Sequence, residues 1–130
     1  MMKHDAGFSE SVEDYLESIL ILSGQLDHVR SVDVASYLGF SKPSVSHAVK
    51  VLEKEGLIEL SPSKHLILTE EGRKAAEITY QRHVFFTRML ESMGVSKDIA
   101  AEDACRIEHV ISQESFEAFR RCYSEKMQSS

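Results

Sequence analysis

Residues 30–60 read RSVDVASYLGFSKPSVSHAVKVLEKEGLIEL, and this stretch decides the fold. Ser31 is placed to cap a short helix, Val32–Leu38, with Val34, Ala35 and Leu38 turned inward. Gly39 supplies the backbone freedom for a tight turn. Ser41 then caps a second helix, with Pro43 in its first turn, where a missing N–H costs little. Val45, Ala48, Val49 and Leu52 form the buried stripe of that helix, and Gly56 stands where a left-handed residue would end it. Two short helices about a glycine turn, the second presenting small polar and basic groups outward, are the signature of a helix-turn-helix. Directly after it come LIEL (57–60), the polar SPSK (61–64) and HLILT (65–69), two β-type runs joined by a turn. A hairpin in that position is the wing of a winged-helix domain.

Outward from this core, Ser9–Leu22 has the period of an amphipathic helix, with Val12, Tyr15, Leu16, Ile19 and Leu20 on one face and Ser9 or Ser11 as its cap. Thr69 opens a long helix to about Met93, closed by Gly94. Ser96 opens another over Lys97–Ile111, and Ser112 caps a last one from Gln113 to about Lys126. No repeat or low-complexity tract interrupts the pattern. The fold class is therefore mainly α, a winged helix-turn-helix followed by a helical half, with the boundary near Gly72.

The 130 residues are 42% hydrophobic and 28% charged, enough apolar material to bury a core without disulfide staples. Cys105 and Cys122 match neither a redox pair nor a zinc-ribbon spacing, so reduced thiols in a cytoplasmic protein are expected. No apolar run reaches the roughly 18 residues of a membrane span, and the N-terminus lacks the apolar segment of a secretory signal. The net charge of −6 would argue against nucleic acid, but it is unevenly spread. Ser41–Lys54 holds Lys42, Lys50 and Lys54 against Glu53 alone, whereas acids gather on Ser9–Glu17 and Ile99–Glu108. An acidic body with one basic face can bind DNA, and acidic pockets attract cations.

On the second helix of the helix-turn-helix, the outward candidates for DNA contact are Ser41, Lys42, Pro43, Ser44, Ser46, His47 and Lys50. Hydroxyls, the helix N-terminus and lysine bond phosphates, while Ser46, His47 and Lys50 are placed to reach base edges. Lys64 and His65 at the wing are further candidates, although a hairpin tip is polar for solubility in any case. Near the C-terminus, Cys105, Glu108 and His109 in DACRIEHVIS are spaced i, i+3, i+4 and would share one helix face. Singly, each fits a structural role: a small buried thiol, a solvated acid, a hydrogen-bonded imidazole. Asp14 and Glu17 flank the apolar stripe of the first helix, and His83 lies among apolar neighbours in TYQRHVFF. Six metal-capable groups on three helices suit a transition-metal site. CRIEH is close to the inverted zinc-protease signature HxxEH, but Cys105 replaces its first histidine, so no enzyme is expected. A winged-helix repressor answering to an organic ligand, with structural His and Cys, is the alternative.

Together SVEDYLESIL, SKPSVSHAV, TEEGRKAAE, QRH and DACRIEHVIS resemble the DtxR/MntR family of metal-dependent transcriptional repressors, over nearly the whole chain. The resemblance implies a winged-helix DNA-binding domain over residues 1–72 and a helical metal-binding and dimerisation domain over residues 73–130, in the short form without an SH3-like domain. It implies a homodimer on operator DNA, regulating metal-homeostasis genes. Asp14, Glu17, His83, Glu108 and His109 fall on positions that bind metal in the manganese-responsive branch. That branch has a bridging glutamate where this chain has Cys105, which is the habit of the iron branch. The iron branch in turn has methionine at Asp14, and its ancillary site uses a glutamate and a histidine where Thr87 and Ala101 stand here. A thiolate favours Fe²⁺ over Mn²⁺, so Fe²⁺ is the expected effector ahead of Mn²⁺, with Co²⁺, Ni²⁺ or Zn²⁺ able to substitute. Leu90, Met93, Ile107, Ile111, Phe116 and Phe119 are candidates for the subunit interface.

Overall fold

A computed structural model describes residues 10–129 of the chain. Six helices and a two-stranded sheet follow one another as α1 (Glu10–Ser23), α2 (Ser31–Leu38), α3 (Lys42–Lys54), β1 (Ile58–Leu60), β2 (Leu66–Leu68), α4 (Glu70–Ser92), α5 (Lys97–Ile107) and α6 (Gln113–Ser129). They group into two compact units, Glu10–Ile78 and one that includes Thr79–Ser130, with α4 contributing residues to both.

In the first unit, α1 buries Tyr15, Leu16, Ile19 and Leu22, and leaves Val12 and Leu20 half-covered at the edges of the stripe. It packs on α2, α3 and β2. The expected cap Ser9 lies outside the described residues, and Ser11 is not a cap, being the second residue of the helix. Ser31 likewise begins α2 rather than capping it. Arg30 takes that place, and the Asp33 carboxylate accepts the Arg30 backbone N–H at 2.9 Å. An aspartate three residues into the helix serves this end better than a hydroxyl one residue too late.

The turn chemistry follows the sequence closely. Gly39 adopts φ +72°, and the Phe40 N–H donates to the Ala35 carbonyl behind it. Phe40 then meets the Tyr15 ring edge-on, with centroids 5.8 Å apart. Ser41 Oγ accepts the Ser44 N–H at 3.3 Å, with Pro43 in the first turn of α3. Val45, Val49 and Leu52 are buried on α3, and Ala48 half-buried. At about 1.5–3 kcal/mol for each fully buried side chain of this size, that stripe holds α3 in place. Gly56, at φ +78°, closes α3 with paired bonds from Gly56 N–H to the Glu53 carbonyl and from Leu57 N–H to the Leu52 carbonyl.

The hairpin is antiparallel, pairing Ile58 with Leu68 and Leu60 with Leu66. Its loop is closed by the Ser61 N–H on the His65 carbonyl, and Lys64 sits in the left-handed region at φ +65°. The Leu66 N–H donates to the Val29 carbonyl at 2.7 Å, which ties the segment before α2 to the wing. Thr69 Oγ1 accepts the Gly72 N–H, opening α4, and donates to the Gly56 carbonyl. Gly72 is required by contact: a Cβ there would overlap the backbone carbonyl of Leu57.

In the second unit, Phe86, Ala104 and Phe116 form the buried centre, with Phe85, Met89, Ile107 and Ile111 packed around it. Phe85 meets Phe86, Phe116 and Tyr123 edge-on at centroid distances of 5.1–5.7 Å. Phe116 is thus core within one chain rather than subunit interface. Phe119 (47% exposed) and Met93 (69%) remain on the surface, and Val110 (77%) joins them. The fifth helix ends four residues earlier than its apolar pattern suggests. Ser112 accepts the Ser115 N–H and starts α6, so the chain must leave the helix before it.

Candidate functional site

Of the residues proposed for DNA contact, Ser41, Lys42, Pro43, Ser44, Ser46, His47 and Lys50 are all exposed on α3. The apolar stripe faces inward, and the opposite side of the helix carries hydroxyls, an imidazole and two lysines. Lys64 is exposed at the wing, and His65 is half-buried beside it.

In the second unit, α4 and the end of α5 place four metal-capable side chains together. His83 comes from the middle of α4. Cys105 is on α5, and Glu108 and His109 follow its last residue, Ile107. Glu108 nevertheless keeps helical dihedrals (φ −60°, ψ −23°), and its N–H donates to the Ala104 carbonyl. The expected ridge therefore survives the shortened helix as far as Glu108, and His109 follows in the turn. Ligand atoms of Cys105, Glu108 and His109 lie within 4.8 Å of one another, as do those of His83 and Glu108. His83 Nδ1 is 2.9 Å from Glu108 Oε2, and His109 Nε2 is 3.4 Å from Glu108 Oε1. Glu108 and His109 are 1% and 0% exposed, whereas Cys105 is exposed.

A buried carboxylate beside two imidazoles, with an exposed thiol at its rim, gathers the donor types that a divalent cation binds. Two overlapping donor groups result, sulfur, oxygen and nitrogen from Cys105, Glu108 and His109, and nitrogen and oxygen from His83 and Glu108, and both suit a divalent transition metal of borderline softness. The residues present fit such an ion. Thr87 and Ala101, where the iron branch places ancillary ligands, bring a hydroxyl and a methyl, and the buried Thr87 hydroxyl has no hydrogen-bond partner among the described residues.

One residue escaped the reading of the sequence. Arg82, 3% exposed, donates from Nη1 to the carbonyls of Glu108 (3.2 Å) and Ile111 (2.9 Å) and from Nη2 to Gln113 Oε1 (2.8 Å). Its guanidinium lies 5.6 Å from the centre of the Phe116 ring. It thereby holds the turn between α5 and α6 that carries Glu108 and His109. The available signal was spacing: Thr79, Arg82 and Phe86 share the buried face of α4 at i, i+3, i+7.

Asp14 and Glu17 belong to the other unit, where both are half-buried on one flank of α1. Burial, and after it the neighbouring Asp14 carboxylate, raises the Tyr15 phenol above its ordinary value.

Comparison with known proteins shows the family. The profile described as "Iron dependent repressor, N-terminal DNA binding domain" matches residues 7–66. The profile described as "Iron dependent repressor, metal binding and dimerisation domain" matches residues 69–125. The transcriptional regulator MntR of Escherichia coli O6:H1 is 40% identical over 111 residues, 85% of this chain and 72% of that protein. The chain belongs to the DtxR/MntR family of metal-dependent transcriptional repressors. The MntR regulator of Geobacillus kaustophilus is 33% identical over 102 residues, covering 78% of this chain and 72% of its relative. Among solved structures, that of the manganese regulator SloR superposes with a TM-score of 0.76 at 25% identity. The match covers 95% of this chain but 55% of SloR, so this chain spans about half the length of that relative. As a member of the DtxR/MntR family the protein is a metal-dependent transcriptional regulator, built as a winged helix with a dimerisation domain. No described helix is long and apolar enough to cross a membrane.

Proposed function

We propose that the protein is a homodimeric repressor that binds operator DNA when Mn²⁺ or Fe²⁺ is held by Asp14, Cys105, Glu108 and His109 as a primary site, with Glu17 and His83, which share Glu108, holding a second ion or tuning the first. The observation that carries this reading is the buried Glu108 carboxylate set between the imidazoles of His83 and His109, in a chain that also exposes a recognition helix. When bound, a divalent cation would supply bonds able to join groups from separate elements. Glu108, His83, His109 and Cys105 would hold it from the second unit, and Asp14 and Glu17 would bring α1 to it from the first.

The physical consequence lies in α1. Because α1 packs on α2, α3 and β2, a restraint on Asp14 and Glu17 is a restraint on the recognition helix. In a dimer the two recognition helices must stand about 34 Å apart to enter successive major grooves. A preference of roughly 1–3 kcal/mol for that arrangement tightens DNA binding by about 5–150-fold. Ser41, Lys42, Pro43, Ser44 and Lys64 then serve phosphate contact and orientation, and Ser46, His47 and Lys50 face the bases. Met93, Val110 and Phe119 are the exposed apolar groups offered to the second subunit. The Cys105 thiol favours Fe²⁺, whereas the structural relative SloR is a manganese regulator.

The reading is tested by operator binding with and without chelator. Binding should be lost on removing divalent metal and restored by Mn²⁺ or Fe²⁺, with the restoring ion identifying the effector. Binding of equal strength in the presence of chelator would refute the switch.

A further inference from the structure

The winged-helix unit carries a second cluster of chemistry-bearing side chains, remote in sequence from every metal-site residue of the second unit. His28 lies in the connection after α1, Arg30 caps α2, and His65 closes the wing loop. The bond from Leu66 N–H to the Val29 carbonyl lays these two segments side by side, and the His65 N–H is held by Ser61 Oγ at 2.9 Å. As a result the two imidazoles stack face to face, with centroids 4.2 Å apart and planes 8° from parallel. An Arg30 Nη2 lies 3.3 Å from His65 Nε2. A guanidinium only donates, so His65 Nε2 offers it a lone pair and the ring proton sits on Nδ1.

Three cation-capable groups thus stand together, and none is ion-paired to a carboxylate among the described residues. The acids beside them in sequence are Asp27 and Asp33, and Asp33 spends its carboxylate on the Arg30 backbone N–H. The charged or titratable groups acting on His65 are His28 and Arg30, while the β1 end of the hairpin presents Ser61. Burial first, then His28, then Arg30, lowers the pKa of His65 below its ordinary 6.5. A second cation is not what such a cluster accepts, since the guanidinium already occupies the imidazole nitrogen and would repel it. An anion is.

We infer that His28, Arg30 and His65 form a docking point for a DNA phosphate diester at the base of the wing, and that filling it takes up a proton. The inference rests on the DNA-binding reading above and adds to it a contact and a pH dependence. When a phosphate arrives, Arg30 donates to it, and His65, protonated on Nε2, donates beside it. The proton comes from solvent and returns there on release. The sign follows. His65 is neutral in the free protein and charged in the complex, so affinity rises as pH falls through neutrality and levels off below the free-state pKa. Each unit between the free and bound values is a factor of about ten in affinity.

The test uses full-length protein saturated with Mn²⁺, occupancy checked by the spin-resonance signal of free Mn²⁺, and a random-sequence duplex at constant low salt. Between about pH 7.5 and about pH 6, the wild type should bind roughly tenfold more tightly. H65Q should lose most of that gain while still binding near pH 7.5, and R30Q should bind more weakly at both values. H47Q, altered at a base-facing position of the recognition helix, should bind more weakly at both values yet keep the ratio between them. A gain abolished by H47Q but retained by H65Q would overturn the inference and leave DNA binding intact; no duplex binding by wild type at any pH would instead overturn the DNA-binding reading. Proton resonances of the His65 ring in the wild-type protein give a second measurement, independent of any variant's folding. Their titration midpoint should lie below the ordinary histidine value in free protein and move up with duplex. A midpoint that moves with inorganic phosphate but not with duplex would mean a free-anion site, and the inference would fall.

Discussion

Glu108 is the side chain on which the metal reading is most exposed to test. Its carboxylate is buried, 2.9 Å from His83 and 3.4 Å from His109. Glu108→Gln keeps the shape and removes the charge. The variant is expected to fold, with unchanged far-ultraviolet circular dichroism, and to show no rise in melting temperature when Mn²⁺ or Fe²⁺ is added. Loss of the fold itself would mark Glu108 as structural. Arg82 makes a different prediction. Arg82→Met leaves the carbonyls of Glu108 and Ile111 without their donor, at a cost of about 1–3 kcal/mol for each group left buried and unsatisfied. The denaturation midpoint should fall, and metal affinity with it, because the turn bearing Glu108 and His109 loses its anchor. Sequence made the candidate ligands readable because their residue types are rare on one helical ridge and their spacing is fixed by the helix. It concealed Arg82 because an arginine on a helix is read as solvated charge, and only the carbonyls it meets, 26 and 29 residues along the chain, make it internal. The cluster at the wing was hidden for the same reason: His28 and His65 are 37 positions apart (65 minus 28), and a backbone bond from Leu66 to Val29 brings them together.

Elements were legible where local chemistry ends them and less so where tertiary contacts do. Gly39 and Gly56 adopt the left-handed conformations that their positions after α2 and α3 suggested, and Ser41 caps α3 as its hydroxyl predicts. The cap of α2 falls one residue before the serine that the sequence offers, the usual latitude at a helix end. Helix α5 was read too long because Val110 and Ile111 continue its apolar period, whereas the bonds from Arg82 and the cap of α6 settle the turn. Two substitutions test this account of the winged helix. Ser41→Ala should cost about 1 kcal/mol of stability by freeing the Ser44 N–H, and should weaken duplex binding if the α3 N-terminus meets phosphate. Gly72→Ala has no left-handed strain to relieve, yet its methyl group would overlap the Leu57 carbonyl. Backbone cannot step aside as a flexible side chain can, so a loss of about 1–3 kcal/mol is expected, read as a lower midpoint in denaturant.

At the scale of the molecule, the proposal makes one demand that neither unit can meet alone. If Asp14 shares an ion with Glu108 and His109, or Glu17 one with His83 and Glu108, metal must stabilise α1 as well as the α4–α5 pair. If the ion is held by the second unit only, α1 gains nothing. Native-state hydrogen exchange separates these cases, since each helix reports its own opening free energy. At a free metal concentration a hundredfold above Kd, linkage predicts about 2.7 kcal/mol of added protection for whatever opens only when the ion leaves. Amides of α1 and of α5 should therefore slow together on adding Mn²⁺. In Asp14→Asn and Glu17→Gln, the α5 amides should keep part of their protection, through His83, Cys105, Glu108 and His109, while the α1 amides lose theirs. Duplex affinity should follow α1 rather than α5, because α1 is the element that packs on the recognition helix. Protection of α1 that ignores metal, in a protein whose α5 responds to it, would separate metal binding from DNA binding and return Asp14 and Glu17 to the role of surface acids.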